Sequence, residues 1–257
     1  MTRLLIGLAA VAALSGCGAG AGGPAGPALR ETATKLETIK TGVLTLKVNM
    51  DPKDGDAFGY EIHGPIKLAG EGEVPLADVE YTQRANGQED TVRLVLDENG
   101  GWVERGGERT QLTRSQLDEL RSAGSVLGQG GLESLDFEAW IADPKRSDGP
   151  GDTDKVSGKL DVVAAMNGLA GLSGVLGSDP VRLDKSNGKQ VEDAVKDSSF
   201  ELLTGKDDRL LRKLALMFEF DADVPDELRD ELGKDAVGAR FEFDLALDDV
   251  NQPVAIG

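Results

Sequence analysis

From Leu44 to Met50 the chain alternates. Leu44, Leu46, Val48 and Met50 are apolar, and Thr45, Lys47 and Asn49 between them are polar. A period of two is the side-chain period of a β-strand with one buried face. After the loop PKDGD the rhythm resumes at Phe58, Tyr60 and Ile62, and it continues through ADVEYTQRA, TVRLVLD and WVERGGERTQL. Asn86-Gly87 and Asn99-Gly100 fall between these runs, where tight hairpin turns are expected. KVSGKLDV predicts a further strand. SFELLTG and LLRKLALMFEF predict a hairpin turning at Lys206 to Asp208. In the last run, ARFEFDLAL, Phe241, Phe243, Leu245 and Leu247 alternate with Glu242, Asp244 and Ala246.

Helical spacing is rarer. Leu29, Ala33, Leu36 and Ile39 predict an opening amphipathic helix that Gly42 ends. Thr113 with Gln116 forms a capping-box pair ahead of RSQLDELRSA, which Gly124 closes. LESLDFEAWIAD, the apolar stretch from Val162, KQVEDAVKD and PDELRDEL also read as helical, with Pro225 suited to a first turn. Residues 124 to 131 and Asp148 to Asp154 read as loops. Strands outnumber helices, and hairpin turns make them antiparallel. The expected class is α+β, an antiparallel sheet with helices on one face.

The N-terminus carries a different signal. Arg3 precedes an uncharged apolar run from Leu4 to Leu14, followed by Ser15, Gly16 and Cys17. This order is that of a secretory signal peptide, and the run is too short to span a bilayer, which takes about 20 residues. Leu14-Ser15-Gly16-Cys17 resembles the lipobox of bacterial lipoproteins, in which the cysteine is acylated and becomes the new N-terminus. Cys17 is the chain's one cysteine, so no disulfide within the chain competes for it. Residues 1–16 are expected to be cleaved. Residues 17–28 form a Gly/Ala/Pro tether, and residues 29–257 form a single domain held to the outer face of the cell membrane.

Charge narrows the options. The net charge is −18, and becomes −19 once Arg3 is removed. Such a chain repels phosphate backbones, which excludes nucleic-acid binding. His63 is the one histidine, so neither a Ser-His-Asp set nor a two-imidazole metal site can be assembled. Ser186-Asn187-Gly188-Lys189 fits S-x-x-K but reads as a turn. The clusters Asp51/Asp54/Asp56, Asp148/Asp152/Asp154 and Asp221/Asp223/Asp226 lack calcium-loop spacing and read as solvated. No enzyme, cofactor or metal is expected. Lys206, Arg209, Arg212 and Lys213 form a basic cluster, either a solvated turn or a contact for an anionic headgroup. The segment VVAAMNGLAGLSGVLG has two readings. Its glycines allow close helix packing, or Met166, Leu169, Leu172 and Leu176 line a cavity.

An opening helix, a series of strands, LDFEAWIADP, VSGKLDV running into an apolar helix, TGKDDRLLRKLALMF and a closing DDVNQPVAI follow in this order. That order resembles the LppX/LprA/LprF/LprG lipoproteins over most of residues 29 to 257. The resemblance implies a half-barrel, a strongly curved antiparallel sheet with helices on its concave face around a hydrophobic cavity. It implies an acylated lipid or glycolipid as ligand, carried within or across the cell envelope, with a possible envelope transporter as partner. The implied cavity wall is Leu44, Leu46 and Val48; Ile62; Leu94 and Leu96; Leu160; Met166, Leu169, Leu172 and Leu176; Leu214, Leu216 and Phe218; and Phe241, Phe243 and Leu245. Two rival classes remain at this stage. One is a protein-docking envelope module with a filled core, and the other a solute-binding lipoprotein, which would show βαβ units.

Overall fold

The structure, a computed structural model, describes residues 24–68, 74–120, 135–173, 185–221 and 238–257. Eleven strands build one sheet: β1 (Thr41–Pro52), β2 (Phe58–Lys67), β3 (Leu76–Ala85), β4 (Gln88–Asp97), β5 (Gly100–Arg105), β6 (Glu108–Gln111), β7 (Ile141–Asp148), β8 (Thr153–Leu160), β9 (Val195–Gly205), β10 (Leu211–Asp221) and β11 (Gly238–Asp248). The order is β6-β5-β4-β3-β2-β1-β11-β10-β9-β8-β7, antiparallel throughout. Two meanders, β1 to β6 and β7 to β11, are therefore joined where the first strand pairs with the last. The ends β6 and β7 are not paired, so the sheet is not closed, and with its few helices it fits a half-barrel.

Local chemistry accounts for the turns. Asn86 and Gly87 have φ of 53° and 68°, both left-handed, as a two-residue hairpin loop requires. The β7 edge is blunted by a register shift between Ala142 and Lys145, by Pro144, and by Asp143 at φ 51°. These features discourage further strand pairing.

Four helical segments accompany the sheet in the described residues: α1 (Ala25–Lys35, continued by a 3-10 turn Leu36–Thr38), residues 114–120 (α2), α3 (Val162–Ser173) and α4 (Lys185–Ala194). The capping box ahead of α2 is formed. Gln116 accepts from the Thr113 N–H at 2.9 Å, and the Gln116 N–H donates to Thr113 Oγ1 at 3.3 Å.

Several sequence expectations need correction. The opening helix starts at Ala25, inside the segment read as tether, and buries Ala25 and Ala28. It ends before Ile39, and Gly42 lies within β1. LESLDFEAWIAD is not a helix where it is described: residues 137–140 form a turn, anchored by the Ala139 N–H on Asp136, and Ile141 opens β7. Ser186 to Lys189 lies in α4 and not in a turn. The helix expected at PDELRDEL falls outside the described residues.

The main core joins α1 (Leu29, Thr32) to Phe137, Trp140, Val156, Phe200, Leu202 and the β10 side chains, with Val162 and Ala165 of α3 and Val191 of α4. Thr32 donates its hydroxyl to the Ala28 carbonyl at 2.9 Å and lies 3.1 Å from the Thr204 hydroxyl. A smaller second core forms around Ala77, Val79 and Leu96.

Candidate functional site: an apolar band between two cores

Residues directly opposite each other in antiparallel strands project to the same face. Leu46 lies opposite Ile62 on β2 and Leu245 on β11, and Val48 opposite Tyr60 and Phe243. Leu245, Phe243 and Phe241 lie opposite Leu214, Leu216 and Phe218 of β10. Leu214 faces Leu202 of β9, which faces Val156 of β8, the strand that ends at Leu160 on the same side. On the other wing Ile62 lies opposite Tyr81, while Val79 and Ala77 face Leu94 and Leu96. All the strand positions expected to line a cavity therefore share one face of the sheet.

The opposite face is polar. Lys47 pairs with Glu61 at 3.1 Å and Lys213 with Asp244 at 3.3 Å. His63 lies there too, exposed, with Nδ1 2.9 Å from the Thr45 hydroxyl.

Burial divides the apolar face. Leu160, Leu214, Leu216, Phe218 and Leu96 are buried in the two cores. Leu44, Leu46, Val48, Ile62, Leu94, Phe241, Phe243 and Leu245 are only half-buried. Leu44, Phe241, Phe243 and Leu245 pack against the main core, and Ile62 and Leu94 against the second. Leu46 and Val48 belong to neither core among the described residues. Met166 and Leu169 are half-buried on α3 and pack against the main core. The side chain of Leu172 and all of Leu176 lie outside the described residues, as does Cys17.

Sequence reasoning passed over three members of this band. Met50 and Tyr60 continue the β1 and β2 alternation, which was itself the available signal, and Tyr81 joins them across β3. The Tyr60 and Tyr81 rings stack with centroids 6.0 Å apart and planes 29° from parallel. Burial, with the neighbouring Tyr81, pushes the Tyr60 phenol above its ordinary pKa, so it stays a neutral hydroxyl.

The basic cluster is not a headgroup site of free cations. Lys206 pairs with Asp148 at 2.9 Å, Arg212 with Asp208 at 2.6 Å, and Lys213 with Asp244 and Glu201. Arg209 bonds both Asp154 and Glu31 of α1. Asp154 is correspondingly no solvated loop charge: it is 5% exposed and also receives Arg146. Burial alone would raise its pKa, but the hydrogen bonds from Arg209 and Arg146 outweigh that and hold it below the usual carboxylate range. No cluster of three or more potential metal ligands occurs among the described residues. None of their helices is long and apolar enough to cross a membrane.

No protein family's sequence model matches the chain, and no curated protein does. Among solved structures the chain is similar to LprF from Mycobacterium bovis, with 13% identity, 90% of this chain and 94% of that one covered, and a TM-score of 0.41. It is also similar to MucB in complex with MucA(peri), with 14% identity, coverage of 90% and 57%, and a TM-score of 0.27. A LolA superfamily protein from Nitrosomonas europaea matches at 11% identity, with coverage of 89% and 96% and a TM-score of 0.21. At these values the likeness describes layout alone.

Proposed function

We propose that the chain is a membrane-anchored, non-enzymatic lipoprotein that carries an acylated lipid or glycolipid in the cell envelope. The observation behind this reading is the band through Leu46 and Val48: apolar, uncharged, half-exposed, and flanked by a buried core on either side. An ordinary sheet face fills such a strip with its own side chains. In this reading the strip is the free part of a cavity wall, and α1 and α3, which pack against the main core, would lie beside it.

The dimensions suit acyl chains. Leu44 to Met50 spans roughly 20 Å at about 3.3 Å per residue, and β2, β1 and β11 together span about 10 Å at ~4.8 Å between strands. Each methylene leaving water gains about 0.8 kcal/mol, nearly what the bilayer offers, so aliphatic walls suffice for exchange at little net cost. In this reading acylated Cys17 keeps the protein at the membrane where its ligand resides. An antiparallel sheet without βαβ units among the described residues speaks against a two-lobed solute-binding lipoprotein.

Mass spectrometry of the full chain carrying Cys17→Ser tests the proposal. Co-purifying acylated lipid is expected, and Leu46→Glu should abolish it while Thr45→Glu, on the other face, should not. A protein that leaves the cell envelope empty and takes up no lipid from vesicles would instead support a docking module.

A further inference from the structure

Side chains on the apolar face are sorted along the strands. The cross-strand row through Leu44 holds Gly64 and Leu247, and the row through Leu46 holds Ile62, Leu245 and Leu214. The next two rows turn aromatic. Tyr60 and Phe243 flank Val48, and Phe58 and Phe241 flank Met50.

The two ends also differ in closure. Beyond Leu44, Leu36 and Ile39 are 3% and 4% exposed and belong with Leu247 and Val250 to the main core. At the other end Phe218, Phe220 and Ala239 are buried on the β10 side, while on the β2 side Phe58 is 40% exposed, the exposed large apolar side chain of the described residues. A hollow of about 500 Å³ also lies at this end, but it faces the polar side of the sheet, where Asn49, Gly59, Arg84 and Glu242 share one cross-strand row.

The chain enters at this same end. α1 starts beside Glu138, which Arg30 contacts at 2.6 Å, and runs to Glu31 and Thr32, which meet Arg209 and Thr204 near the opposite strand ends.

We propose that the Met50–Phe58 end is the mouth of the lipid site. Acyl chains lie along the strands with their methyl ends toward Leu44, and the polar head stays beside Phe58 and the Tyr60–Tyr81 pair. This rests on the lipid-carrier reading and adds orientation to it. Half-buried aromatic rings suit the boundary between hydrocarbon and water, since they present an apolar body and, in tyrosine, a hydroxyl donor.

The test uses the full acylated chain in phosphatidylcholine vesicles, with two photoactivatable phosphatidylcholines. One carries a diazirine at the end of an acyl chain, the other beside the ester carbonyl. Peptide mapping should place the chain-end crosslinks on Leu44 to Leu46 and Leu245 to Leu247, and the ester-proximal crosslinks on Phe58 to Tyr60 and Tyr81. Inverted or identical patterns would overturn the orientation while leaving lipid binding intact. Absence of crosslinks from both probes would sink the carrier reading and the orientation with it.

Discussion

Gly168 of α3 lies against the indole of Trp140: a Cβ placed on it would stand 2.5 Å from Cζ2 of the ring. Trp140 is 2% exposed and held edge-on by Phe137 at 5.4 Å, so it has little room to yield. Glycine costs this helix about 1 kcal/mol against alanine in propensity. Close approach to a buried tryptophan offsets that cost, which favours the packing reading of the small residues at this position. Gly168→Leu is expected to destabilise the fold by about 1–3 kcal/mol through overpacking, read as a lower urea midpoint with unchanged slope. An unchanged midpoint would mean that α3 is loosely held.

Asp154 makes stability depend on acid. Its folded pKa lies below that of the unfolded chain, so its contribution is complete above the unfolded value of about 3.9 and is lost as pH falls through the folded value. Asp78, lowered first by its hydrogen bond from Arg93, adds in the same direction. Asp154→Asn should therefore lower stability at pH 7 and flatten its decline below about pH 4, as measured by urea titrations across that window.

Arg209→Glu would place a carboxylate between Asp154 and Glu31 and detach α1 from the strand ends. Thermal melting should drop markedly. Lys206→Glu, which removes an exposed pair, should leave the midpoint nearly unchanged. Lipid selectivity should follow neither substitution, because each of these cations already holds a carboxylate.

Leu202 and Leu46 are chemically alike but differently placed. Leu202 is fully buried, and its truncation to alanine should cost about 2–5 kcal/mol. Leu46→Ala, on the half-buried band, should cost less than Leu202→Ala because part of its apolar surface is exposed, and under the proposed function it should reduce bound lipid. Paired urea midpoints and lipid stoichiometries check the contrast. A Leu46 variant that binds lipid normally would remove the band from the site.

Much of the sheet was legible because its signals are local. Alternation within one strand assigns side chains to a face, and Asn86-Gly87 encodes its own turn. Errors arose where the cause is distant. Phe137, Trp140 and Ile141 are spaced as on a helix, yet they are apolar because a turn buries them against α3 and β9, as the Phe137–Phe200 contact at 6.4 Å shows. Ala25 and Ala28 carry no amphipathic signal, and their burial depends on a sheet surface supplied by later strands. Asp154 read as a loop charge because its partners Arg146 and Arg209 are 8 and 55 residues away.

The same division applies to the candidate site. From the sequence alone followed the strands and their apolar face, because period and turn chemistry are properties of neighbouring residues. Which apolar side chains fill a core and which stay half-exposed was decided only by the tertiary structure. Strands β1 and β11, from opposite ends of the chain, meet at the centre of the sheet, with one core forming to each side. Leucines with identical local patterns become Leu214 in the packed interior and Leu46 in the open band, because burial depends on what the rest of the chain brings against them.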